Sequence, residues 1–261
     1  HIVTAITRRV RAAGGKRHTY LVAENEPQRA RLVRPIEDGG HGMDSLWNDD
    51  FHHSAIVALT GKNEAYYTDY RGRAQEFISS LKYGYLYQGQ FYRWQKKRRG
   101  MPCLREHPEN FVHFIQNHDQ VANSLWGHRI HELTTAGQLR AMTAVLLLGP
   151  ATPMLFQGQE FAASSPFLYF ADHNPELAKL VAEGRTEFLK QFPSIAALEK
   201  EVEQFIAGPE REETFLRCKL DFADRQKHEP MYRLHRDLIR LRKTDPVFAK
   251  PRRGGLDGAV L

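Results

Sequence analysis

The stretch Asn110–Gln120, "NFVHFIQNHDQ", limits the possible folds more than any other. Its apolar centre is continuous rather than alternating, as suits a strand buried on both faces. It then runs straight into an amide, an imidazole and a carboxylate. Three more stretches have the same form: "TYLVAEN" (Thr19–Asn25), "DSLWNDDF" (Asp44–Phe51) and "TPMLFQGQE" (Thr152–Glu160). Each reads as a short buried strand that ends in polar groups.

Helical patterns lie between them. Ile2, Ile6 and Val10, with Val3, form one stripe that Gly14 and Gly15 stop. Ala74–Tyr92 is helical in pattern until a Tyr- and Gly-rich excursion at Tyr83–Tyr92. Thr134 or Thr135 caps a helix through Leu139, Met142, Leu146 and Leu147, which Gly149 and Pro150 end. Pro230 opens a last helix with the stripe Met231, Leu234, Leu238 and Leu241, closed at Thr244–Pro246. The final "GLDGAVL" has the makings of a further strand.

Alternating strands and helices predict a parallel sheet with helical crossovers. Polar carboxyl ends on buried strands are where a (β/α)8 barrel keeps its active site. A doubly wound open sheet obeys a similar rule, but no Gly-rich phosphate loop follows any strand here. The expected fold class is therefore α/β, of the (β/α)8 TIM-barrel type. Only four strand–helix units are countable, where a closed barrel needs eight. Either strands are missed or the chain is half a barrel with open edges. The start at His1, without an initiator Met and directly in helical pattern, points to a fragment or processed product.

Composition narrows the function classes. At 41% hydrophobic and 26% charged residues, a disordered chain is excluded. The net charge of +6 is concentrated in runs such as "QKKRRG" (Gln95–Gly100) and "KPRRGG" (Lys250–Gly255). Without interleaved aromatic residues these runs read as solvated loops, so no nucleic-acid partner is expected. No apolar run reaches about 18 residues, so no membrane-spanning helix is expected. Cys103 and Cys218 form neither a metal set nor a disulfide framework, which fits a cytoplasmic setting.

The polar strand ends offer paired carboxylates. Glu24 ends one strand and Asp119 another, and in one parallel barrel both face one pocket. Carboxylates held at different pKa values are the equipment for glycosidic cleavage. His118 adds a donor for a sugar hydroxyl, and Trp47, Phe51, Tyr83, Tyr85 and Tyr87 offer flat faces for sugar rings. Other readings remain open. "NHDQ" and Glu24-Asn25 suit capped turns. "DDFHH" (Asp49–His53) with His118 and Asp119 suggests a metal site, but His52 and His53, if on a strand, point opposite ways. No cofactor and no metal are expected.

Taken together, "FIQNHDQ" followed by a helix and "GPATPMLFQGQEF" resembles the seventh and eighth strands of the alpha-amylase superfamily, glycoside hydrolase family 13. "LVAEN" resembles its fifth-strand element. "LVAENEPQ" and "DSLWNDDFHHS" further resemble the malto-oligosyltrehalose trehalohydrolases. The resemblance covers roughly residues 1–245 and implies the carboxyl half of a catalytic barrel, about its last four β/α units. It also implies a polar insertion around 171–213, and the start of a β-domain or a tail at 246–261.

The same resemblance implies roles. Glu24 becomes the general acid/base and Asp119 the transition-state stabiliser. His118, Asn117 and Gln120 become substrate binders, and Trp47, Asn48, Asp49, Asp50, Phe51 and His52 form the rim that selects the trehalose end. The family's nucleophilic aspartate, in a "G-x-R-x-D" element, is absent from this sequence. The implied activity is a retaining hydrolysis that releases trehalose from a maltooligosaccharide-type substrate. This chain alone is then expected to be inactive and to self-associate through its open edges. An amylase, a branching enzyme, or a non-catalytic carbohydrate-binding scaffold are the alternatives.

Overall fold

The computed structural model describes residues 1–198 and 208–260. In chain order it has α1 (Ile2–Gly14), β1 (Val22–Ala23), β2 (Ser45–Trp47), α2 (Asp49–Thr60), α3 (Ala74–Tyr83), β3 (Phe91–Tyr92), β4 (Lys97–Arg98), β5 (Phe111–His113), α4 (His118–Ala122), α5 (Ile130–Leu133), α6 (Ala136–Leu148), β6 (Thr152–Pro153), α7 (Pro175–Leu189) and α8 (Pro193–Ala196). Short helices at Glu212–Cys218 and Asp224–Lys227 lead into the long helix Glu229–Thr244 and a turn at Pro246–Ala249.

The four expected strands form one sheet in the order β1-β2-β5-β6, with every pairing parallel. Val22 pairs with Ser45, Leu46 with Phe111, and Val112 with Thr152. Parallel neighbours require crossovers; α2 and α3 lie between β2 and β5 and α4 to α6 between β5 and β6, whereas β1 reaches β2 through a loop with one short 3-10 turn at Ala30–Leu32. This is the α/β, (β/α)8-type arrangement expected, in four units.

One face of the sheet is covered by a core of Phe51, Ala55 and Leu59 from α2, Ile115, Ile130 from α5, and Leu139, Met142 and Leu146 from α6. Phe51 and Ile115 are wholly buried. Each contributes ~1.5–3 kcal/mol relative to an exposed position. Helix Glu229–Thr244 packs on α6, where Arg242 donates to the carbonyls of Leu147 and Ala151 at 2.9 and 2.7 Å.

Each strand is shorter than its apolar run. The second ends at Trp47, because the Asn48 side chain accepts from Phe51 N–H at 3.1 Å and caps α2. The "DDFHH" stretch is thus helical, so His52 and His53 are not on opposite faces of a strand. The third ends at His113, and Asn117 caps α4 by accepting from Gln120 N–H at 2.9 Å. The fourth ends at Pro153, and residues 256–260 form no strand. The stripe on α1 is not a buried face: Ile2 and Ile6 are exposed and only Thr7 is buried.

The excursion after α3 contains an antiparallel hairpin, β3 with β4, that the sequence reading missed. The "QKKRRG" run sits in it and is not wholly solvated, since Arg99 is buried. Gly100 closes the hairpin at φ 74°. A Cβ there would lie 1.9 Å from the Tyr87 carbonyl, so only glycine fits. Its N–H donates to Pro27 O at 3.1 Å, tying the hairpin to the loop after β1. The polar stretch around 171–213 holds α7 and α8, and its residues 199–207 lie outside the described set. No helix among the described residues is long and apolar enough to cross a membrane.

Candidate active site

The carboxyl ends of the parallel strands share one rim. Glu24 directly follows β1, Asn48 and Asp49 follow β2, and Asp119 lies in the first turn of α4 beyond β5. β2 alone separates β1 from β5, so the two strands run about 10 Å apart. Glu24 and His118 are exposed, and Asp119 and Gln120 are half-buried.

Asp119 is held in place. Its Oδ1 accepts from Asn123 Nδ2 at 2.6 Å. Asn123 Oδ1 in turn accepts from Arg185 of α7 at 3.2 Å, and Arg185 also donates to Ala122 O at 2.7 Å. Arg185 lies over the ring of Tyr169, 4.3 Å from its centroid.

A second charged group underlies the rim. Arg99, with 3% of its surface exposed, stands 3.6 Å from both Asp49 and Asp50. Burial opposes its charge, but Tyr70, Asp50 and Asp49 hold its pKa above the ordinary value. Asp50 is wholly buried and accepts from the Tyr70 hydroxyl at 2.7 Å and Tyr87 N–H at 2.8 Å. Burial pushes the Asp49 carboxyl up to about 6. Arg99 opposes this, while Asp50, Glu24 and Glu26 add to it. Glu24 and Asp49 are therefore in one electrostatic neighbourhood.

Several residues expected to touch a ligand have internal contacts instead. Asn48, Asp50 and Phe51 expose no side-chain surface. Asn48 caps α2 and donates to Gly84 O at 2.6 Å, and Phe51 stacks on His113 with centroids 4.3 Å apart. His52 is also buried, stacked on Phe114 at 5.0 Å. Tyr85 is buried, its hydroxyl donating to Trp47 O at 3.0 Å. Asn117 is buried as a helix cap. α2 and α4 begin earlier than the apolar runs suggest, which turns Asn48, Asp50, Phe51, His52 and Asn117 inward; Tyr85, in the segment after α3, is held separately by its hydroxyl bond to Trp47 O. Glu24, Trp47, Asp49, His118, Asp119 and Gln120 keep exposed surface at the rim.

Sequence reasoning missed Asn123, Arg185 and Arg99. The four-residue spacing from Asp119 to Asn123 was a usable helical signal. Nothing local marked the other two. Among the described residues no group of three or more His, Cys, Asp or Glu could hold a metal ion.

Comparison with known proteins bears on this rim. No family model matches the chain. A protein named malto-oligosyltrehalose trehalohydrolase from Deinococcus radiodurans is 40% identical over 100% of this chain and 43% of its own length. Proteins of the same name from Rhizobium sp. (strain M-11) and Mycobacterium tuberculosis are 34% and 33% identical, over 94% and 96% of this chain and 40% and 43% of their own lengths. The chain thus spans less than half the length of these curated relatives. A crystal structure titled a putative alpha amylase from Salmonella typhimurium superimposes with a TM-score of 0.83 at 31% identity, over 97% of this chain and 43% of that one.

Proposed function

This chain belongs to the alpha-amylase superfamily, among relatives named malto-oligosyltrehalose trehalohydrolase, and from that premise we propose that it carries part of the machinery of a retaining glycosidase releasing trehalose from maltooligosyl trehalose. The supporting observation is the placement of Glu24 and Asp119 on one rim, at the ends of parallel strands separated by β2 alone. Glu24 protonates the leaving glycosidic oxygen. Asp119, held by Asn123, stabilises positive charge developing at the sugar carbon. His118 and Gln120 bind hydroxyls, and Trp47 and Asp49 shape the rim toward the trehalose end.

Retention of configuration needs a nucleophilic carboxylate about 5–5.5 Å from the acid. The "G-x-R-x-D" element that carries it in the family does not occur in these 261 residues. The nucleophile therefore comes from outside them, and the 261-residue chain is inactive alone. We assign residues 1–245 to the carboxyl half of the catalytic domain. Tyr20, just before β1, and Val22, within it, are exposed, which supports pairing of further strands or a second copy at that edge.

The test is an assay of trehalose release from maltooligosyl trehalose, run with the 261-residue chain and with a longer protein that includes the nucleophile element. The longer protein is expected to release trehalose, and its Glu24→Gln variant and the short chain are expected to release none. Release by the short chain overturns the fragment reading. Equal cleavage of plain maltooligosaccharides by the longer protein replaces trehalose release with amylase activity.

A further inference from the structure

A cavity of about 190 Å³ lies at the end of the sheet opposite Glu24 and Asp119. Its walls include Tyr83 of α3, Cys103, Phe111 at the start of β5, and Ala151 just before β6. Cys103, Phe111 and Ala151 are buried. Arg253 and Gly254 also line the cavity, and both are exposed. The chain beyond Pro251 therefore stands between this cavity and solvent.

That segment is attached mainly by polar contacts at the surface. Arg253 Nη1 donates to Arg105 O at 2.8 Å and to Leu104 O at 3.2 Å. Lys82 Nζ donates to Asp257 Oδ1 at 2.6 Å. Gly258 lies against Ile78, whose Cγ1 would be 3.3 Å from a Cβ there. Pro251 and Leu256 are half-buried, and the other residues from Arg252 to Val260 are exposed. Exposed ion pairs hold weakly. The empty space beneath Arg253 and Gly254 also denies them packing partners on that side. The sheet they cover has the opposite character, with a buried core on its face.

The two cysteines distinguish the segment from the rest of the fold. Cys103 Sγ donates to Tyr83 O at 2.9 Å beside the cavity. Burial pushes its thiol up to about 11, which keeps it protonated and unreactive while it is covered. Cys218 is buried against Leu168 and Thr214 instead.

We propose that residues 252–258 form a strap that lifts from the cavity as a local opening, with the sheet still folded, and so controls access to the amino end of β5. This device is independent of the cleavage reading above. The test is alkylation of the native 261-residue chain with iodoacetamide, followed at each cysteine by peptide mass spectrometry. The Cys103 rate is expected to change little in low urea, because lifting the strap exposes little surface. Arg253→Ala and Asp257→Ala are each expected to raise it about twofold to tenfold and to leave the Cys218 rate unchanged. A Cys103 rate that climbs with urea as global unfolding does overturns the proposal. So does a rate that neither variant raises, or a parallel rise at both cysteines.

Discussion

Asn123 Nδ2 stands 2.6 Å from Asp119 Oδ1, and the backbone N–H of Asn123 donates to Asp119 O at 2.8 Å. Asn123 is therefore tied to Asp119 twice, and Arg185 of α7 fastens Asn123 from the other side. The insertion, with no role legible in its composition, thus reaches the helix that carries the proposed stabilising carboxylate.

If that contact orients the carboxylate, Asn123→Ala in the longer protein lowers kcat for trehalose release about tenfold to a hundredfold, with KM within about twofold. Arg185→Ala has the same direction with a smaller loss. Equal kcat in Asn123→Ala and the unaltered protein removes Asn123 from any positioning role.

The "QKKRRG" run contains two kinds of cation. Lys97 is exposed, while Arg99 is buried against Asp49, Asp50 and the Tyr92 ring, 4.9 Å from that centroid. Removing one partner of a buried ion pair costs ~3–5 kcal/mol. Surface changes lie within about 0.5 kcal/mol. Arg99→Ala is expected to lower the urea midpoint strongly and Lys97→Ala hardly at all. Asp50→Asn added to Arg99→Ala recovers part of the loss, since no unpaired charge then remains at that position. Equal midpoints for the two single variants would falsify the burial of Arg99.

How much of this was legible depended on scale. The four parallel strands were readable because a strand buried on both faces leaves a continuous apolar run, and Gly14-Gly15, Thr135 and Gly149-Pro150 carry their own boundary chemistry. The strand ends were not. Asn48 and Asn117 are compatible with either a turn or a cap, and only the folded chain shows each accepting from an N–H three residues on. Glu24 was readable at a strand end, whereas Asp119, expected at the end of its strand, lies in the first turn of α4, six residues beyond His113 where β5 stops. Arg99 was hidden because charge normally marks solvent. Its partners Asp49 and Asp50 are about fifty residues away, so no local pattern records the pairing.

Asp49 supplies a pH signature. Its pKa rises from the ordinary carboxylate range to about 6, first through burial. The folded state therefore holds this proton more tightly than the unfolded chain. That contribution to stability is complete below about pH 4 and is lost as pH rises through about 6. Asp49→Asn is expected to raise the melting temperature more at pH 7.5 than at pH 4.5, by differential scanning fluorimetry. A gain that is the same at both pH values contradicts the assignment.

The buried histidines act in the opposite direction and outnumber it. Burial lowers the pKa of His52 and His113 to about 3, and that of His53 well below its ordinary value. All three are neutral in the folded state, while the unfolded chain protonates each near pH 6.5. The stability this confers is present above about 6.5 and is lost as pH falls. Burial also lowers the pKa values of His41, His131 and His235, so these losses act in one direction. The guanidinium midpoint is therefore expected to decline as pH falls below about 6.5. His113→Gln, which removes one titrating ring, makes that decline shallower. A midpoint that stays flat between pH 6.5 and 4.5 would show that the rings do not remain neutral inside the fold.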